Sequence, residues 1–418
     1  MIPGRPGQGV PPAYAPQRAV LRRPRAPRIL AAGLLAAGLT VAAGPTATAT
    51  GTGPGTATTT GTTAGTGTGT TTTSGTTTAP RSGTGRAALG TCAGPTLQTL
   101  DRLPGSFAVV KALGSPGISA GSSADVPVYW TGAEVHRVPI PPGNLAGEVT
   151  AINRHGLMVG TLRNPSTNAT QAFSFRIGNA KVRLLPGGIA AHDVNDSGVI
   201  AGVGSGHTAV LWKNNTVFRS LTVDTATGEY GGAFTAVGIN NAGTVIGGGT
   251  RYIEGEWVGV GLLWKAGTPG HARTLLPQAA PNEGYSSVAT DISRAGRVVG
   301  HRLFTWGTQV YWDRPYTQPP TDVAGLPGLG AEGYFTAISP NGRLTVGYAP
   351  NRWADPGEER GAAQVWTGGT MVKLPRLDPL GTAEAHAAAD DGRIGGYATG
   401  LPDPEGPETA YPVIWRCS

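Results

Sequence analysis

Ile152-Asn153-Arg154-His155-Gly156-Leu157-Met158-Val159-Gly160 is the stretch on which the fold turns. An apolar residue leads into Asn, two variable residues and Gly, then an apolar run and a second Gly. Asn bonds readily to its own backbone and Gly accepts positive φ, so Asn-x-x-Gly reads as a tight turn between two strands. The pattern returns at Val194-Asn195-Asp196-Ser197-Gly198, Ile239-Asn240-Asn241-Ala242-Gly243, Ile292-Ser293-Arg294-Ala295-Gly296 and Ile338-Ser339-Pro340-Asn341-Gly342. Degraded copies stand at Leu113-Gly114-Ser115-Pro116-Gly117 and Ala389-Asp390-Asp391-Gly392.

A third β segment follows each copy and ends on an aromatic residue: Trp130, Phe175, Trp212, Trp264, Trp312, Trp366 and Trp415. A turn and a fourth segment come next, as in Arg183-Leu184-Leu185-Pro186 and Lys373-Leu374-Pro375. The turn glycines recur about every 46 residues, within the range of propeller repeats and long for a coil of a parallel β-helix. The expectation is an all-β chain, a seven-bladed β-propeller of four-stranded blades.

Closure comes from the ends. The last unit stops at Trp415-Arg416-Cys417-Ser418 with no outer strand, whereas Leu97 to Pro104 precedes the first unit and resembles one. The N-terminal strand should therefore complete the last blade and close the ring. That register brings Cys92 to Cys417 and predicts a disulfide between them, which suits an oxidising compartment.

The domain from 92 to 418 follows two other segments. Arg22, Arg23, Arg25 and Arg28 precede an apolar run from Ile29 to Ala43 and an Ala47-Thr48-Ala49 cleavage step, so residues 1–49 read as an export signal. The residues leave the Sec and twin-arginine routes both open. Residues 50–91 read as a disordered Thr/Gly-rich linker with almost nothing apolar to bury. The expected location is extracellular, with no membrane span in the mature chain.

The formal charge of +7 misleads, because six arginines lie within the first 28 residues and no acid precedes Asp101. The remainder is close to neutral, which argues against nucleic acid as a partner.

The repeats resemble the extracellular HAF repeat family, named for a His-Ala-Phe step in the third strand. Gln171-Ala172-Phe173 and His207-Thr208-Ala209-Val210 keep parts of that step. The resemblance spans 97–418. It implies export and a propeller-like fold, and brings no catalytic motif.

In such a blade the loops between second and third strands, and those between blades, share one face. Here they are the long and variable set, and function concentrates on variable loops held by a rigid scaffold. They carry the expected ligand-binding residues Tyr252, Trp257, Tyr285, Trp306, Arg352 and Trp353, with His301, Tyr334, Glu358 and Glu359 nearby. Aromatics and Arg on one surface suit an extracellular glycan or protein partner. No cofactor is expected. Asp193-Val194-Asn195-Asp196-Ser197-Gly198 begins like a calcium loop but lacks the downstream Glu, and its turn role explains it. The histidines show no zinc spacing. The competing function is a secreted glycosidase or lyase, which should gather carboxylates with shifted pKa values around the central tunnel.

Overall fold

The Asn-x-x-Gly turns join the first two strands of their blades, and the physical reason for both glycines is visible. Gly156 sits at φ +73°, a region open to Gly at little cost. The second glycine answers a different demand. In all seven blades the innermost strand shifts register by one residue opposite it, for example between Val149 and Ala151. This β-bulge drives a backbone carbonyl towards the second strand. A Cβ at Gly160 would stand 2.0 Å from the Glu148 carbonyl oxygen, so no side chain fits.

The computed structural model describes residues 92–417 except 144, 224–229, 254–255, 266–273, 278–285, 304–305, 330–331, 356 and 401–408. The expected export signal and linker, and the candidate Tyr285, lie outside the described residues. Seven four-stranded antiparallel sheets are present. Their inner strands are Ala108–Leu113, Ala146–Ile152, Gly188–Val194, Tyr230–Ile239, Ser286–Ile292, Tyr334–Ile338 and Ala383–Ala388, numbered here as blades 1 to 7. Outer strands shrink to two residues in blades 2, 4 and 5.

Thr96–Thr99 pairs antiparallel with Ala410–Arg416, with Leu97 opposite Trp415, and completes blade 7. Cys92 and Cys417 are disulfide-bonded, their Cα atoms 4.6 Å apart. Blade 7 has Ala389 where blades 2 to 4 carry a turn Asn, and its Arg393 supplies the tie to blade 1 instead. Arg393 is 3% exposed. It donates to the carbonyls of Gly114 (2.7 Å) and Ile118 (3.2 Å) and pairs with Asp391.

The core lies between blades. Val346, Val365 and Leu374 of blade 6 pack against Ala385, Ile394 and Trp415 of blade 7. Five of the seven third-strand aromatics also carry a polar tie. The indole N–H of Trp130, Trp212, Trp264, Trp312 and Trp415 donates to the carbonyl of Asp101, Pro186, Thr222, Pro277 and Pro375, each just past the preceding blade's outer strand. A buried Trp needs such an acceptor. Asn does double duty as well: Asn153 Oδ1 accepts from Leu157 N (3.0 Å), while Nδ2 donates to the Asn195 carbonyl of blade 3 (2.9 Å).

Candidate functional site

Two regions could bind something, and they lie at opposite mouths of the ring. The first is the face of long loops. The backbone N–H of Gly333 donates to the Gly307 carbonyl (3.0 Å), which draws the entry to blade 6 against the loop of blade 5 carrying Trp306. Tyr334 donates its hydroxyl to Glu332 Oε1 (2.6 Å). Arg352, from the long loop of blade 6, places Nε 2.9 Å from Glu332 Oε1 and Nη2 3.3 Å from the Tyr334 hydroxyl. Trp353 follows it, 77% exposed, and meets Trp306 edge-on with centroids 6.4 Å apart.

Behind this surface is a buried polar layer. Tyr334 stacks on Tyr348 at 5.0 Å and meets the edge of His301 at 5.0 Å. Burial pushes the Tyr348 hydroxyl up, helped by Glu384 and opposed by Arg352. Burial alone lowers His301 to about 4, so its ring is neutral. Gln364 Nε2 donates to Gln309 Oε1 (2.7 Å) and to the Tyr348 carbonyl (3.2 Å). His301 Nδ1 and Gln364 Oε1 are buried without a hydrogen-bond partner.

Tyr252 and Trp257 also face solvent, as a cross-strand pair in the hairpin of blade 4 with rings 5.2 Å apart. Trp257 lies over Gly231, where a Cβ would meet its ring at 2.5 Å. Of the six expected ligand residues, then, Trp306, Arg352 and Trp353 come together, and Tyr252 and Trp257 form a separate pair. Glu332 was not anticipated. It sits in the connection between blades 5 and 6, held beside Arg352 by the Gly333–Gly307 bond and the Tyr334 hydroxyl.

The second region is the tunnel, a cavity of about 530 Å³ that ends among the short turns. All seven bulged residues line it, Lys111, Thr150, His192, Val237, Thr290, Thr336 and His386, together with Asp193 and Asp291. Burial raises Asp193 to about 6, and burial with the Asp193 charge raises Asp291 to about 7. Each carboxylate is occupied: Asp193 accepts from Val194 N (2.7 Å) and Ile239 N (2.7 Å), Asp291 from Ile292 N (2.6 Å) and Ile338 N (2.8 Å). One oxygen of each reaches the following blade, so these acids join blades. None of the five expected residues that are described, Tyr252, Trp257, Trp306, Arg352 and Trp353, lines this cavity.

Among the described residues no group of three or more His, Cys, Asp or Glu is placed to hold a metal ion. Nor is any helix among them long and apolar enough to cross a membrane.

No family model matches the chain, and no curated protein does. The likeness to HAF repeats therefore stays one of pattern. Similar solved structures include the WD40 β-propeller domain of Doa1, 12% identical, with a TM-score of 0.45 over 76% of this chain and 96% of that one. Another is the β-propeller domain of the Trilobed protease from Pyrococcus furiosus, 9% identical, with a TM-score of 0.45 over 68% of this chain and 89% of that one. At those scores they bear no weight on function. The propeller assignment rests on the seven sheets of this chain.

Proposed function

We propose that this chain is a secreted propeller that binds an extracellular glycan through its long-loop face. The observation that carries the reading is the Trp306–Trp353 pair beside Arg352. Indole faces carry partial negative charge and favour the weakly positive C–H faces of a pyranose ring, while a guanidinium offers fixed donors to hydroxyls. At 77% exposed, Trp353 buries little of its ring and so contributes little to the core. The disulfide and the signal-like N-terminus support an extracellular setting.

A polysaccharide-cleaving enzyme is the competing reading, favoured by the raised values of Asp193 and Asp291. Their four backbone N–H partners and their distance from the aromatic face argue for a structural task. Pull-down of soluble polysaccharides with the full-length chain, followed by sizing of the retained material, separates the two. Retention of intact polymer supports binding, and shortened polymer establishes an enzyme. Retention of proteins alone would move the reading to a protein partner.

A further inference from the structure

The blade 5 and 6 mouth also limits what kind of glycan can bind, an inference that rests on the glycan reading above. The charges of blades 5 and 6 and the connections after them come largely as opposite pairs. Arg352 pairs with Glu332 (2.9 Å), Arg302 with Asp322 (2.7 Å), and Glu359 with both Arg376 (2.8 Å) and Lys373. Asp355, Glu358 and Arg360 in the Trp353 loop are exposed and of mixed sign. Among the described residues these charges balance, which leaves no single-sign field to steer a charged polymer.

The hydrogen-bonding groups point the same way. A guanidinium carries five N–H donors. Arg352 commits Nε to Glu332 and one Nη2 hydrogen to Tyr334, and its side chain is 56% exposed, which leaves donors facing solvent. Their charge is already matched by Glu332, itself only 11% exposed. A ligand carboxylate would compete with Glu332 for Arg352, and a ligand amine would face Arg352 itself. A hydroxyl does neither. Behind Tyr334, the open positions on His301 and Gln364 are uncharged, and burying a charge beside them would go uncompensated.

We infer that the mouth formed by Trp306, Tyr334, Arg352 and Trp353 takes an uncharged hexose polymer, with one ring on the Trp353 face and adjacent hydroxyls accepting from Arg352.

Calorimetric titration of the full-length chain tests this with hexasaccharides of three classes. The probes are neutral (cello-, malto- and laminarihexaose), anionic (hexagalacturonate) and cationic (hexaglucosamine). The expected result is binding of at least one neutral hexasaccharide, with affinity changing less than about twofold from 50 to 500 mM NaCl. Arg352→Lys should weaken that binding about tenfold, because a point charge cannot reproduce the planar fork. Tighter binding of either charged hexasaccharide, falling with salt, overturns the inference and leaves the glycan reading standing. Binding of no probe from any class overturns the glycan reading and this inference with it.

Discussion

Trp212 of blade 3 donates its indole N–H to the carbonyl of Pro186, just past the outer strand of blade 2, at 3.0 Å. Four other blades repeat this tie, and Phe175 fills the corresponding place in blade 2 without an N–H to give. The Trp therefore packs and fixes the neighbouring blade. Trp212→Phe keeps the fold, as Phe175 does, and loses about 1–3 kcal/mol from the missing bond and the smaller ring. Urea unfolding of the variant against wild type measures it.

The closing strand Thr96–Thr99 buries little, with three of its four residues exposed. Side-chain packing holds it weakly, and the Cys92–Cys417 bond spans 325 residues of chain. Replacing both cysteines with Ser should cost about 2–5 kcal/mol, the usual range for a native disulfide. An unfolding midpoint unchanged by the double substitution would show that the ring closes without the latch.

The two repeat glycines should respond unequally. Gly156→Ala meets open space and incurs only the left-handed backbone cost, about 1–2 kcal/mol. Gly160→Ala drives a methyl into the Glu148 carbonyl and the Phe173 ring, and should cost about 3 kcal/mol or prevent folding. Thermal melts of the two variants decide it, and equal losses would contradict the bulge as the reason for the second glycine.

Asp193 and Asp291 give a pH dependence whose sign is unusual for carboxylates. Their folded values, about 6 and about 7, exceed the ordinary 3.8. The folded chain thus binds protons that the unfolded chain releases, and their contribution to stability grows as pH falls from about 7 towards 4. An Asp193→Asn, Asp291→Asn double variant should lack that component. Denaturant midpoints across this window, variant against wild type, report it, and parallel curves would show that the two acids do not titrate there.

The blade count, the closing strand and the disulfide were legible because they follow from the period and the chain ends. The role of the second glycine was not. The bulge opposite it falls on Thr150, Thr290 and Thr336 in three blades but on Lys111, His192, Val237 and His386 in the others, so no single letter marks it in every repeat. Asn153 was readable as a turn residue, while its bond to Asn195 needs the neighbouring blade in place. Trp306, Arg352 and Trp353 could be chosen from loop length and residue type. Glu332 and the buried His301–Gln309–Gln364 layer become visible only once blades 5 and 6 are packed together.

Hydrogen–deuterium exchange of the full-length chain, with and without a retained polysaccharide, tests the assignment of the binding face most directly. Protection is expected only in peptides covering 301–309, 332–336 and 350–354. Protection instead at the short turns, 113–117, 153–157 and 195–199, would contradict that assignment and place the ligand at the tunnel.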